Sequence, residues 1–213
     1  MRIALVIERM DPSRGGREAA LAEIAKGLAA CDCDVTILCQ SANWDAVGVR
    51  VHTLGRRPKR RVSRLRDFIH AVQGHVAGGR YDIVHTTLPV PGADIYQLHS
   101  GTMPGQRTAN LRRRTAWGRT LSRIAQPYNC HRRCLLRLEQ EVLRSTSQLC
   151  LPVSQLILRE LQTYYRREQN VHVVFNGVAI PELTPSERQD WRRQERQKLG
   201  LLSDQPLFIA VAT

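Results

Sequence analysis

The sequence predicts an α/β fold built on a doubly wound, parallel sheet of the Rossmann-like type. Short aliphatic runs alternate along the chain with longer amphipathic or charged stretches, which is the pattern of strands alternating with helices. The first run, residues 2–8, is nearly continuous in aliphatic side chains, as expected of a strand buried on both faces of a parallel sheet. The stretch from residue 17 repeats apolar residues at helical spacing. They are Leu21, Ile24, Ala25 and Leu28.

The later elements continue this alternation. Further strands are predicted at 34–40, 48–54, 81–85, 94–98, 148–153, 171–175 and 207–211. Helices are predicted at 65–76, across 110–147 with a break at Pro127, at 154–167 with Ser154 as N-cap, and at 185–199. Right-handed crossovers bring the loop after each strand to one edge of such a sheet, where ligands bind.

Length and composition predict one domain at residues 1–180 and a separate region at 181–213. At about 150 residues per domain, 213 residues correspond to roughly one and a half domains. The segment that follows Ile180 is rich in proline and glutamate, as in a linker. A single strand after it cannot bury itself. We therefore expect 181–213 to hold a linker helix and the first strand of a second domain that this sequence does not contain.

The chain is strongly basic. Its 32 lysines and arginines exceed its 19 acidic residues, which gives a formal charge of +13, concentrated at 56–66, 107–123 and 188–198. Such runs form solvated faces or bind nucleic acid or an anionic membrane, and charge alone does not choose among these. Aromatic residues make up only 5% of the sequence, so platforms for stacking bases are scarce and nucleic acid is the less favoured partner.

Several classes of protein and site are disfavoured. No apolar window is long enough for a transmembrane helix, and the first apolar run is too short for a signal peptide. The six cysteines do not form a disulfide framework, and Cys130-His131-x-x-Cys134 lacks a second pair of zinc ligands, so we predict no metal and a reducing cytosol. The motifs GxGxxG, GxSxG, Walker A and HExxH are absent.

The candidate binding residues follow predicted strands. Gly15 and Gly16 separate the first strand from its helix, so the backbone and the positive end of the helix could approach a phosphate or a sugar; a tight turn is the alternative. His85 ends one strand and could bond a ligand or simply be satisfied within the sheet. Asp94 and His99 bracket the next strand, and His99 stands beside the flexible Ser100-Gly101.

The order of these features resembles the N-terminal domain of retaining glycosyltransferases of family 4, which have the GT-B fold. The pieces that carry the resemblance are Gly15-Gly16, the segments 81–85 and 92–99, Glu139 ahead of 151–154, and VVFNGV at 173–178. The last piece resembles the family's strand end, although Ala179 stands where aspartate is usual. The spacing is also similar to that of the lipopolysaccharide-core glucosyltransferase group.

The resemblance implies roles for single residues. In this family the N-terminal domain holds the acceptor and a C-terminal domain holds the nucleotide-sugar donor. Gly15 and Gly16 would approach the donor phosphate or the acceptor, His99 would position the reacting sugar without attacking it, and Asp94 would contact the acceptor. Asn176-Gly177 would turn the chain toward the hinge. The family needs neither a metal nor another cofactor.

The predicted function is therefore that of the N-terminal part of a retaining, nucleotide-sugar-dependent glycosyltransferase. Its expected acceptor is a lipid-linked or cell-envelope glycan, and its expected location is the cytoplasm, at the inner face of the membrane. We expect no activity without a donor-binding domain, which a separate chain could supply. The alternatives left open are a non-catalytic basic module that binds nucleic acid or an anionic membrane, and a remnant without function.

Overall fold

The computed structural model describes residues 1–55, 61–115, 117, 129–177, 182–202 and 204–209. The chain divides into two compact units, Met1–Asn176 and Gly177–Thr213. The domain boundary predicted at residue 180 lies outside the described residues.

The first unit alternates strands with helices, which confirms the predicted α/β class. Its strands are β1 (Arg2–Val6), β2 (Arg9–Met10), β3 (Asp34–Cys39), β4 (Ser41–Ala42), β5 (Val49–Thr53), β6 (Ile83–Thr86), β7 (Ile95–Leu98) and β8 (Leu149–Pro152). Its helices are α1 (Gly16–Ala30), α2 (Arg61–Val76), α3 (Met103–Arg112), α4 (Cys130–Arg144) and α5 (Gln155–Glu160). Six strands form one sheet in the order β5-β3-β1-β6-β7-β8, and all neighbours are parallel.

Side-chain alternation along β1 divides the core between the two faces of the sheet. Ile3 and Leu5 point to one face, where α1 packs against them through Leu21 and Ala25. Ala4 and Val6 point to the other face. There they meet the apolar sides of α2 and α4, which contribute Leu65, Phe68, Ile69, Val72 and Cys134. The sheet is thus covered by helices on both faces, as the continuous aliphatic strands require.

Two features of the first unit were not predicted. The two-residue strands β2 and β4 pair in parallel beside the main sheet. Helix α3 begins at Met103, ahead of the predicted start at residue 110, because Thr102 caps it by accepting a hydrogen bond from the Gly105 N–H. The predicted break at Pro127 lies outside the described residues.

Helix α5 confirms the prediction that Ser154 is an N-cap. The Ser154 hydroxyl accepts a hydrogen bond from the Ile157 N–H at 3.3 Å. The helix then widens into a π turn at Leu161–Tyr165 and ends at Arg166, which has a left-handed conformation.

The strand predicted at 171–175 does not form. This segment lies along β8, where the His172 and Val174 N–H groups donate to the carbonyls of Cys150 and Pro152, each at 3.0 Å. The return bond between these two contacts would need an N–H on Pro152, and proline has none. The ladder is therefore reduced to a single bridge between Cys150 and Val171.

The second unit contains one helix, α6 (Pro185–Lys198), which confirms the helix predicted at 185–199. Thr184 and Glu187 form a reciprocal capping box at its start. The described residues of the predicted strand at 207–211 are 207–209, and they are not in a strand. The described part of this unit contains no strand with which they could pair. Among the described helices of the chain, none is both long enough and apolar enough to cross a membrane.

Candidate functional site

Three polar side chains lie on the face of the sheet that α1 covers. His85 is on β6, Gln97 is on β7, and His99 directly follows β7. Side chains of a strand alternate between faces, so Gln97 and His99 point to the same side. His85 lies two residues after Ile83, which packs in the cluster beneath α1. The strand ends and the start of α1 meet at one edge of a parallel sheet.

His85 is satisfied inside the sheet. Its ring Nε2 lies 3.0 Å from Oε1 of Gln97, and both side chains are buried. Burial lowers the pKa of His85, although the hydrogen bond to Gln97 opposes this shift. The structure thus places His85 behind the site surface, as the partner of Gln97.

His99 is the exceptional polar group at this edge. Both of its ring nitrogens are buried and have no hydrogen-bond partner in the described part of the chain. Burial, followed by the nearby Arg17 and His85, lowers the pKa of His99 to about 4, while Glu18 opposes the shift. A buried polar group without a partner costs about 1–3 kcal/mol. The ring is therefore neutral at pH 7, and no described residue satisfies its donor or its acceptor.

The start of α1 brings a cation to the same place. Arg17 pairs with Glu18 at 2.9 Å, and the Arg17 Nε is buried without a partner among the described residues. Burial disfavours the ionised form of Glu18, but the hydrogen bond from Arg17, its own backbone N–H and the charge of Arg17 together lower its pKa. The site thus combines a neutral imidazole with a half-buried ion pair.

Gly15 and Gly16, at the start of α1, have different surroundings. A Cβ on Gly15 would lie 3.1 Å from Oε2 of Glu18, so the Arg17–Glu18 pair crowds this position. A Cβ on Gly16 would meet no atom of the described chain within 4 Å. Packing within the chain does not require glycine at 16, and a ligand that approaches the backbone there would. Gly15 is the N-cap residue of α1, without a side-chain cap bond.

Asp94 lies apart from these residues. It precedes β7, and its Oδ2 accepts a hydrogen bond from the Val84 N–H at 2.7 Å. His99 follows it by five residues, or about 16 Å along an extended strand. The structure therefore gives Asp94 a role in joining β6 to β7 and does not bring it to the site with His99.

Two glutamates hold the backbone that follows His99, and we call them the carboxylate clamp. Oε2 of Glu160 accepts hydrogen bonds from the N–H and the hydroxyl of Thr102 at 2.7 and 2.9 Å. Glu139 accepts from the Met103 N–H at 2.8 and 3.0 Å and from the Tyr165 hydroxyl. Burial raises the pKa of Glu139, although these two donors oppose the shift.

The carboxylate clamp also depends on small residues. A Cβ on Gly105 would lie 2.2 Å from the Glu160 carboxylate, and Gly101 has a positive φ of 77° beside the same group. The clamp fixes the start of α3 and so limits the freedom of the segment that carries His99.

Sequence patterns alone missed Arg17, Gln97 and Glu160. Gln97 and His99 share a strand face by the period of two, which is a signal that could have paired them. Glu160 lies far along the chain from Thr102, and only the fold brings them together. Cys130 is exposed and Cys134 is buried, and no group of three or more metal-binding side chains occurs among the described residues.

Comparison with known proteins identifies the family. The model of the glycosyl transferase 4-like domain matches residues 15–177, which is most of the chain. The chain belongs to this glycosyl transferase 4-like family. The matched region contains all the residues of the candidate site, from Gly15 to Tyr165. No curated protein matches the sequence closely enough to count as a relative.

Two solved structures have a fold similar to that of this chain. WaaG, a glycosyltransferase involved in lipopolysaccharide biosynthesis, is 18% identical with a TM-score of 0.72, over 95% of this chain and 52% of WaaG. The sucrose-phosphate synthase of Thermosynechococcus elongatus is 16% identical with a TM-score of 0.63, over 96% of this chain and 54% of the synthase. The chain spans about half the length of these proteins, which agrees with the predicted half of a GT-B architecture.

The carboxylate clamp predicts opposite effects of two glycine-to-alanine changes. Gly105→Ala forces the Glu160 carboxylate off Thr102 and should lower the free energy of unfolding by about 2 kcal/mol. Gly27→Ala lies inside α1 with no atom near its Cβ, and should raise it by about 0.5–1 kcal/mol. Urea unfolding measures both. Equal effects of the two changes would contradict the clamp.

The low pKa of His99 predicts a response to Arg17. Arg17→Ala removes a nearby positive charge and admits water, so the pKa of His99 should rise from about 4 toward its usual range near 6.5. Arg14→Ala, which removes an exposed arginine, should leave it unchanged. Proton NMR titration of the His99 ring measures the shift, with His99→Ala assigning the signal.

The same shift has a consequence for stability. The unfolded chain protonates His99 near pH 6.5 and the folded chain near pH 4. The free energy of unfolding therefore keeps its full value above pH 6.5 and decreases as the pH falls toward 4, because only the unfolded chain takes up the proton in this range. Arg17→Ala should narrow the pH range over which this stability is lost, because it raises the pKa of His99 in the folded chain. If the pKa of His99 stays the same in Arg17→Ala, the Arg17 guanidinium does not act on the His99 ring, and this prediction is wrong.

Proposed function

We propose that this chain is the acceptor-side half of a retaining glycosyltransferase that uses a nucleotide-sugar donor. One observation carries the proposal. The buried ring nitrogens of His99 and the buried Nε of Arg17 lack partners within the described chain, and all lie at the sheet edge beside the start of α1. Buried polar atoms are normally satisfied, so three such exceptions gathered at one place indicate a polar ligand.

The chemistry of His99 suits positioning of a sugar. With a pKa of about 4, the ring is neutral at pH 7 and presents one donor and one acceptor. Two sugar hydroxyls, one accepting and one donating, would satisfy both nitrogens. A ring with so low a pKa is a weak base, so its role is to orient the reacting sugar.

The start of α1 suits the charge of a leaving diphosphate. The positive end of this 15-residue helix favours an anion, and the open space over Gly16 lets the anion approach the backbone. The Arg17 guanidinium is paired with Glu18 and would add its charge by turning from that carboxylate to the anion. The leaving charge is therefore stabilised by protein groups, as the resemblance to a metal-independent family implies.

Turnover requires a donor-binding half in this proposal. The structural neighbours WaaG and the sucrose-phosphate synthase are about twice as long as the part that matches this chain. The missing half would face the edge that carries His99, whether it belongs to the same polypeptide or to another.

The acceptor in this proposal is a lipid-linked or cell-envelope glycan at the cytoplasmic face of a membrane. The likeness to WaaG, a protein of lipopolysaccharide biosynthesis, supports this acceptor class. The formal charge of +13 supports an anionic membrane surface, where each basic residue contributes about 1 kcal/mol.

The test is a transferase assay of the chain combined with a donor-binding half of a related enzyme. A panel of nucleoside-diphosphate sugars and lipopolysaccharide-core oligosaccharides supplies the substrates, and nucleoside diphosphate release is measured. His99→Ala should lower turnover about 100-fold, because the positioning bonds are lost while the fold is kept. His52→Ala, at an exposed site on β5, is the matched control.

Three results would contradict the proposal. Turnover by the chain without any donor-binding half would remove the need for one. Unchanged turnover in a folded His99→Ala variant would remove His99 from the site. Tight, salt-sensitive binding of nucleic acid, without turnover or vesicle binding, would favour a non-catalytic basic module.

A further inference from the structure

A second surface of the first unit is rich in arginine. The first turns of α2 and α4 lie side by side and line an open cavity of about 620 Å³, which we call the α2–α4 groove. Four arginines line it: Arg61, Arg66, Arg133 and Arg137. An adjoining cavity of about 360 Å³ shares Arg66 and Arg137 and continues along the same two helices.

Three of the four arginines of the groove, Arg61, Arg66 and Arg137, have no ion-pair partner among the described residues. No described residue that lines the larger cavity carries a carboxylate. Glu141 lines only the adjoining cavity. Like charges gathered in a concave, partly apolar surface repel each other unless an anion lies between them.

The start of α4, capped by Asn129, adds to this charge. The cavity is lined by Arg61, Val62 and Ser63 at the start of α2, and by Cys130 and Arg133 at the start of α4. Neither helix has an acidic residue in its first turn, where one would normally complement the dipole. The positive end of α4 and four arginines thus meet in one groove. Of the basic run 56–66, residues 56–60 lie outside the described residues.

The groove is separate from the site at His99. Helices α2 and α4 pack on the face of the sheet that carries Ala4 and Val6. Helix α1 packs on the opposite face, with Ile3 and Leu5. A ligand in the groove therefore occupies a place of its own, and its binding does not depend on sugar transfer.

We propose that the α2–α4 groove binds the phosphate groups of a ligand that carries at least two of them. Guanidinium groups bind phosphate oxygens in pairs of parallel hydrogen bonds, and the arginines extend over both cavities. Residues Ile69 and Leu138 give the adjoining cavity an apolar wall, which suits a carbon skeleton between or beside the phosphates. The source of the phosphates is a soluble molecule or a lipid headgroup.

The test uses the whole chain and two probes. Inorganic tripolyphosphate, titrated by calorimetry at low salt, represents a soluble ligand. Phosphatidylcholine vesicles with and without phosphatidic acid represent a headgroup. The double variant Arg66→Ala, Arg137→Ala should weaken binding of the active probe about 10-fold or more. The double variant Arg112→Ala, Arg159→Ala loses the same charge at exposed positions outside the groove and should weaken it less than about 2-fold.

The outcomes distinguish a soluble ligand from a lipid headgroup, and two of them would overturn the proposal. Tripolyphosphate binding that needs Arg66 and Arg137 supports a soluble ligand. Vesicle binding that needs phosphatidic acid and the same two arginines, without tripolyphosphate binding, supports a lipid headgroup. Equal losses in the two double variants would show that net charge alone attracts the probe and would overturn the groove. The absence of binding to both probes by the unaltered chain would also overturn it.

Discussion

The burial of the His99 imidazole beside Arg17 is the constraint on which the candidate site depends. A ring kept from water without a partner must be neutral, and a neighbouring cation strengthens that requirement. Neutrality leaves the ring one donor and one acceptor, which is the pattern that sugar hydroxyls can satisfy. An isolated buried pair of ring nitrogens costs free energy in the unliganded fold, and a bound ligand would recover it.

The rest of the first unit delivers the ring to this position and holds it there. Parallel strands bring the end of β7 next to the start of α1, and Gln97 on β7 bonds to His85 on β6. The carboxylate clamp fixes the next turn of backbone through Glu139 and Glu160. Each of these contacts joins segments that are far apart in sequence, so the site requires the complete sheet with α4 and α5 in place.

Local patterns in the sequence predict much of the fold and part of the site. The aliphatic run that becomes β1 and the apolar stripe of α1 are strong signals because each depends on near neighbours. The segment at 171–175 is also mostly apolar, but the missing N–H of Pro152 on a neighbouring strand breaks its ladder. The site residues divide in the same way, into those that local patterns indicate and those that depend on distant contacts. Gly16 and His99 stand at the ends of predicted elements, whereas the partner of Asp94 and the role of Glu160 emerge only from contacts across the fold.

The central claim is that His99 is a neutral, unpartnered ring that receives a sugar, and nitrogen NMR of the imidazole tests it directly. Spectra of the ¹⁵N-labelled chain at pH 7 distinguish the neutral ring from the protonated one and report hydrogen bonding at each nitrogen. We expect a neutral ring in the free chain, and changes at both nitrogens when a lipopolysaccharide-core oligosaccharide is added. A protonated ring at pH 7, or ring nitrogens that stay unchanged while other resonances report binding of the oligosaccharide, would contradict the claim.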